Sequence, residues 1–128
     1  TDELALPLDE GRIVCDLLAM RETDDGGRVP VVIELKSARH MKRLVHQVSD
    51  YAALVDLHAD LYSKLFRVIL HDDVTFTGPC EKWIVWPQAG EEKDPREDEL
   101  AEMGIRVVGY KRTGWGFEFR VGAEPDSI

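Results

Sequence analysis

The chain predicts an α/β (α+β) fold: a central mixed β-sheet that contains an antiparallel β-meander and is flanked by helices. Three observations lead there. Segments rich in β-branched and aliphatic residues, bounded by turn chemistry, occupy the chain up to residue 36. Between Met41 and Leu70 the apolar spacing changes from the two-residue period of a strand to the longer period of a helix. Strand and helix patterns then alternate, giving the order β-β-β-α-(α)-β-α-β-β.

Residues 3–8 (Glu-Leu-Ala-Leu-Pro-Leu) form the first expected strand, with Pro7 pointing to a sheet edge because it cannot donate to a ladder. Asp9-Glu10-Gly11 makes a turn. Arg12 to Arg21 is a second strand, rich in Ile, Val, Cys and Leu and interrupted by the single acid Asp16. Thr23-Asp24-Asp25-Gly26-Gly27 supplies hairpin chemistry, since Gly accepts the positive φ of tight turns. Val29 to Lys36 is the third strand and completes the meander. Met41, Val45, Val48, Ala52, Val55 and Ala59 then fall within a stripe of roughly 80° when residues advance by about 100°. A second helix is expected over Leu61–Leu70, after a break near His58. Glu81 to Trp86 is a strand stopped by Pro87, residues 88–96 a charged loop, and Glu97 to Met103 a short helix ended by Gly104. Arg106 to Tyr110 and Phe117 to Val121 pair through Thr113-Gly114-Trp115-Gly116, with Trp115 expected to plug the turn.

Composition bounds the function. The 128 residues suit one domain, 1–128, and 44% hydrophobic with 32% charged residues is the balance of an ordinary folded chain. With Thr1 and not Met at the start, a trimmed chain or a piece of a longer one is expected. No apolar run approaches the roughly 18–20 residues of a membrane-crossing helix. Cys15 and Cys80 are too few for a disulfide scaffold or a four-thiolate metal site, so a reducing, cytoplasmic setting is expected. The net charge of -9 weighs against nucleic acid as partner, yet it is unevenly spread. Lys36, Arg39, Lys42, Arg43 and Lys64 outnumber Asp50, Asp56 and Asp60, whereas acids dominate 91–102.

Two acids stand where strand cores should be apolar. In Val31-Val32-Ile33-Glu34-Leu35-Lys36-Ser37 the period of two puts Glu34 and Lys36 on one face and Ile33 and Leu35 on the other. Asp16, across the hairpin, is expected beside Glu34. Two buried carboxylates repel and lose solvation, so they call for a cation. Mg²⁺ or Mn²⁺ held by Asp16, Glu34 and the Leu35 carbonyl would satisfy them. On the helix, Gln47 and Tyr51 are spaced i, i+4 and share a polar band with His40 and His58, beside the apolar stripe. His40, His46 and His58 read as surface residues, and their spacing is no zinc signature. Trp83 and Trp86 read as sheet core, Cys80 lacks an activating base, and Gly114-Trp115-Gly116 is no phosphate loop.

Taken together, Asp16, Glu34-Leu35-Lys36 and Gln47-Val-Ser-Asp-Tyr51 resemble the PD-(D/E)XK nuclease superfamily, in particular its RecB-like branch, over about residues 3–86. The resemblance implies a restriction-endonuclease-like core and a metal-dependent deoxyribonuclease. Asp16 and Glu34 would bind Mg²⁺ or Mn²⁺, and Lys36 would assist the attacking water. Gln47 and Tyr51 would support the site or contact the DNA backbone. Arg39, Lys42 and Arg43, just beyond the motif, are the expected DNA contacts, and a homodimer or partner subunits of a repair or defence complex are compatible with it. The family often places an acidic residue on a helix before the first strand, which this sequence is expected to begin too late to show, and Cys15 stands where Pro often precedes the first acid. Two other readings compete. One is a catalytically weak or inactive nucleic-acid-binding or assembly module of the same fold. The other is a plain α/β domain in which Glu34 and Lys36 form a structural ion pair.

Overall fold

The computed structural model describes residues 4–8, 11–35, 41–88 and 96–125, with side chains from residue 16 onward except those of Met41 and Lys42. Its elements run β1 (Leu4–Leu8), β2 (Gly11–Cys15), β3 (Leu17–Glu22), β4 (Arg28–Leu35), α1 (Met41–Leu57), α2 (Ala59–Leu70), β5 (Glu81–Pro87), α3 (Arg96–Glu102), β6 (Ile105–Thr113) and β7 (Gly116–Val121). The fold is α+β. A five-stranded mixed sheet has the order β3-β4-β5-β6-β7, in which β4, β5 and β6 run parallel and the edge strands β3 and β7 are antiparallel to their neighbours. Parallel neighbours cannot be joined by a tight turn, so α1–α2 and α3 serve as the crossovers.

The expected meander is divided. Residues 12–21 are two strands in two sheets: among the described residues β2 pairs with β1 in a separate two-stranded sheet, and β3 pairs with β4. The division falls on Asp16, a bend residue. A strand pattern interrupted by one charged residue looks like one strand, but the charge marks where the chain changes sheet.

Strand alternation sorts the large sheet into two faces. Val32, Ile84, Trp86, Ile105 and Val107 line one, and they pack with Leu44, Val48, Tyr51, Ala52 and Val55 of α1 and with Leu100 of α3 to form the core. The buried stripe of α1 is thus turned toward Leu44 and Tyr51, because the large side chains, not the small Ala59, claim the sheet. The break at His58 stands where expected. α2 departs from ordinary amphipathic packing. Tyr62 is buried and Phe66 stacks edge-on against Phe76 at 6.0 Å, but Leu61, Leu65, Val68 and Ile69 are exposed, as is Leu57 at the end of α1. α3 ends at Gly104, whose φ of 78° is the left-handed geometry that Gly adopts without strain.

Polar ties stitch the sheet edges. On α3, Glu97 is buried and is bonded by Arg120 of β7. On the opposite side, Arg21 of β3 clasps Glu81 of β5 at 2.5–3.0 Å, and the Trp83 indole N–H donates to the same carboxylate at 3.0 Å. Arg106 lies 5.2 Å over the Trp83 ring. Burial works to raise the pKa of Glu81, but the hydrogen bonds from Arg21 and Trp83 and the charges of Arg21 and Arg106 outweigh it and hold the carboxyl below its ordinary range.

Replacing Arg120 by Ala leaves the Glu97 carboxylate buried without its cation and should lower unfolding free energy by about 2–4 kcal/mol in urea titration. For Glu81 the sign follows from its lowered pKa. Its contribution is complete above the unfolded carboxylate value of about 4.3 and is lost as pH falls through the folded value. Glu81→Gln should therefore melt below the wild type at pH 7, and the gap should close below about pH 4.

Candidate metal centre and nucleic-acid interface

The candidate site forms at the C-terminal end of β4. The β3–β4 register pairs Leu17 with Ile33 and Leu18 with Val32, so its continuation by one step sets Asp16 opposite Glu34. Asp16 is not part of the ladder. Its carboxylate Oδ2 instead accepts the Leu35 backbone N–H at 2.8 Å. A side chain thereby does what a strand carbonyl would have done, at the point where β2 departs for the other sheet. One Asp16 oxygen is engaged, which fixes the carboxylate at the Glu34-Leu35 peptide.

Glu34 shares the face of Val32 and, across β5, of Ile84, the face that α1 covers. It is 3% exposed. The Leu35 side chain points to the other face and is half exposed, so a carboxylate and an aliphatic group at this strand end have exchanged their usual environments. That inversion is the unusual feature of β4. An ionised carboxylate withdrawn from water is costly unless a cation or donors compensate it.

α1 follows β4 after residues 36–40 and packs back across β4 and β5, which lays its N-terminal half over the strand end that carries Glu34. Gln47 lies on that half and is partly buried. Its side-chain carbonyl Oε1 is shut off from solvent and accepts no hydrogen bond among the described residues. A buried amide oxygen in that state is poised for a donor or a hard cation. Tyr51, one turn on, differs from expectation: it is fully buried within the core and not in a polar band. Its ring packs in the core between α1 and the sheet. His46 and His58 are exposed, as expected, while His40 lies outside the described residues.

Lys36 and Arg39 also lie outside the described residues, as does the Lys42 side chain. Arg43 is exposed on the first turns of α1, on the strand-end side of the molecule. Among the described residues no three His, Cys, Asp or Glu side chains gather as a metal cluster. A centre made of two carboxylates and a backbone carbonyl needs no such trio. The donors present, all oxygen, suit Mg²⁺ or Mn²⁺ and not a soft metal.

The remaining sequence expectations divide. Trp86 is core, with Arg96 over its ring at 5.2 Å, whereas Trp83 is half-buried in the Arg21–Glu81 tie. Cys80 is buried, its thiol donating to the Glu81 carbonyl at 3.4 Å, an arrangement for packing and not for attack. Trp115 is no plug: it stands fully exposed at the tip of the β6–β7 hairpin. Of the charged loop 88–96, residues 89–95 lie outside the described residues. Sequence reasoning missed the buried Glu97 and its partner Arg120, because an acid within an acidic run carries no local sign that it will be covered.

The Asp16 hydrogen bond separates structure from chemistry. Asp16→Asn keeps an acceptor for Leu35 N–H and should change stability by less than about 0.5 kcal/mol, whereas Asp16→Ala should cost about 1–3 kcal/mol through the lost charge-assisted bond. Thermal melts of the two variants without metal check this. Comparison with family models, with curated proteins and with solved structures finds no match to this chain.

Proposed function

We propose that this chain is a metal-dependent DNA nuclease domain with a restriction-endonuclease-like core, hydrolysing phosphodiester bonds at the C-terminal end of β4. The observation that carries the reading is the Asp16 carboxylate fastened to the peptide between Glu34 and Leu35, directly beside a buried glutamate. Two acids distant in sequence meet at one strand end: Asp16 stands at the bend between β2 and β3, Glu34 and Leu35 end β4, and Gln47 and Tyr51 follow on α1, an order compatible with the one the resemblance implies.

Asp16, Glu34 and the Leu35 carbonyl would hold Mg²⁺ or Mn²⁺, which when bound supplies Lewis-acid polarisation of the phosphate and a more acidic water. The protein's own groups complete the chemistry. Asp16 is preoriented by the Leu35 N–H, so no reorganisation is needed to present its second oxygen. Glu34, excluded from bulk water, interacts strongly with positive charge. Gln47 borders the same strand end and offers its buried oxygen to a water or the ion. Lys36 is assigned to orient or help deprotonate the attacking water and, as an ammonium, to stabilise the charge that builds on the phosphoryl oxygens. Arg39, Lys42 and Arg43 are assigned to the DNA backbone, where a few cations suffice to attract phosphate despite the net charge.

One observation favours the second reading, an assembly module of the same fold. Leu57, Leu61, Leu65, Val68 and Ile69 form an exposed apolar stripe over α1 and α2, and stripes of that kind mark docking surfaces. It does not compete for the strand end, so both roles fit one chain.

The deciding assay is cleavage of linear, circular and single-stranded DNA with Mg²⁺ or Mn²⁺. The wild type should cut, and Lys36→Ala should be slower by about 100-fold or more. A folded, metal-binding protein that leaves all three substrates intact would move the conclusion to the assembly module. Ion binding is read separately. Saturation at a hundredfold excess over Kd should raise the wild-type melting temperature on the order of 10 °C, and Glu34→Gln should abolish that rise while remaining folded.

A further inference from the structure

The outer edge of β7 ends the large sheet, and among the described residues no strand pairs with it. Its sequence, Gly116-Phe117-Glu118-Phe119-Arg120-Val121, has no proline and no bulge, and its ladder with β6 is continuous from Val108–Val121 to Thr113–Gly116. Proteins ordinarily blunt such an edge. Here Gly122 N–H donates to the Val107 carbonyl at 2.7 Å, which fixes the phase of the ladder. Residues 122, 120 and 118 turn their backbone groups toward β6, so Phe117, Phe119 and Val121 turn theirs outward. The outward-facing residues are also the exposed apolar ones: Phe117 is 59%, Phe119 64% and Val121 57% exposed.

From this phase we infer that β7 pairs antiparallel with β7 of a second copy of the chain, about a two-fold axis at Phe119. The occupant is identified by self-complementarity. With Phe119 opposite its own counterpart, Phe117 lies opposite Val121 of the second copy, and all three outward-facing positions become hydrogen-bonded pairs. Glu118 then lies opposite Arg120 of the second copy, and Arg120 opposite its Glu118. Two opposite-charge pairs form on one face while the aromatic row becomes continuous on the other. A register shifted by two residues along both strands loses the charge match. Lys111 already holds Glu118 at 3.4 Å and Glu97 holds Arg120, so both charges are presented in place. The pairing extends the sheet from five strands to ten and is independent of the nuclease reading.

The register makes a specific cross-linking test. In the paired sheet the two Phe119 Cα atoms stand about 5.5 Å apart, within disulfide range, while the two Phe117 Cα atoms are displaced by four residues, or roughly 13 Å. Phe119→Cys should form a covalent dimer under mild oxidation and Phe117→Cys should not, both keeping the native cysteines. In sedimentation velocity across the micromolar range, the unmodified chain should associate, and Glu118→Arg should weaken association about tenfold by setting Arg against Arg twice. Circular dichroism confirms that the variants are folded. A monomer throughout that range would overturn the inference. So would equal cross-linking at positions 117 and 119, or a dimer insensitive to Glu118→Arg, which would assign association to another face such as the α2 stripe.

Discussion

One hydrogen bond, from the Leu35 N–H to the Asp16 carboxylate, governs how the rest of the molecule is arranged. It stands where the β3–β4 ladder stops and β2 turns away to pair with β1. A backbone carbonyl in that place would have extended the ladder and carried β2 along the edge of the large sheet. A carboxylate satisfies the same donor through a side chain, and the main chain is free to bend. The cost of leaving the N–H unmet, about 1–3 kcal/mol, is avoided without a further strand pair. Because the acceptor is charged, the junction also delivers a negative group to a fixed position beside Glu34.

Glu34 is the second constraint. The first residues of β4 are buried on both faces, as befits a strand with neighbours on each side and a helix above. A valine at position 34 would continue that pattern and pack beneath α1 with Val32 and Ile84. The chain places a carboxylate there and turns Leu35 to solvent, surrendering the burial of an aliphatic side chain, on the order of 1–2 kcal/mol, as well as the solvation of a charge. The exchange puts a buried carboxylate at the strand end that the Asp16 carboxylate also reaches, beneath the helix that carries the buried amide oxygen of Gln47.

Much of this was legible in the residues. The turn at Gly26-Gly27, the break at His58, the stop at Gly104 and the β6–β7 hairpin all rest on local chemistry, and they fall where that chemistry puts them. That Asp16 reaches the end of β4 was legible too, because hairpin register is arithmetic. What escaped depends on the third dimension. Asp16 looks like a flaw inside one strand unless a second sheet is known to receive β2. Tyr51 looks like half of a polar pair with Gln47, yet the sheet takes up its whole ring, since a large aromatic next to Val48 and Val55 fills space that Ala59 cannot. The exposed leucines of α2 escaped for the opposite reason. Apolar periodicity says that a face seeks cover, not that this chain provides it.

The two surfaces left open by the fold constrain how a paired molecule can work. In an antiparallel edge-to-edge pair the faces bearing α1 remain on one side of the extended sheet, while the two β4 strands run in opposite directions and their C-terminal ends point opposite ways along it. From β4 to its counterpart there are three strand spacings to β7, one across the junction and three beyond, each about 4.8 Å, or roughly 34 Å before sheet twist. That separation is several times the distance at which two carboxylate sites can share an ion or act on one phosphate. Pairing through β7 would therefore leave each proposed site complete in itself, with its own Asp16, Glu34 and Leu35.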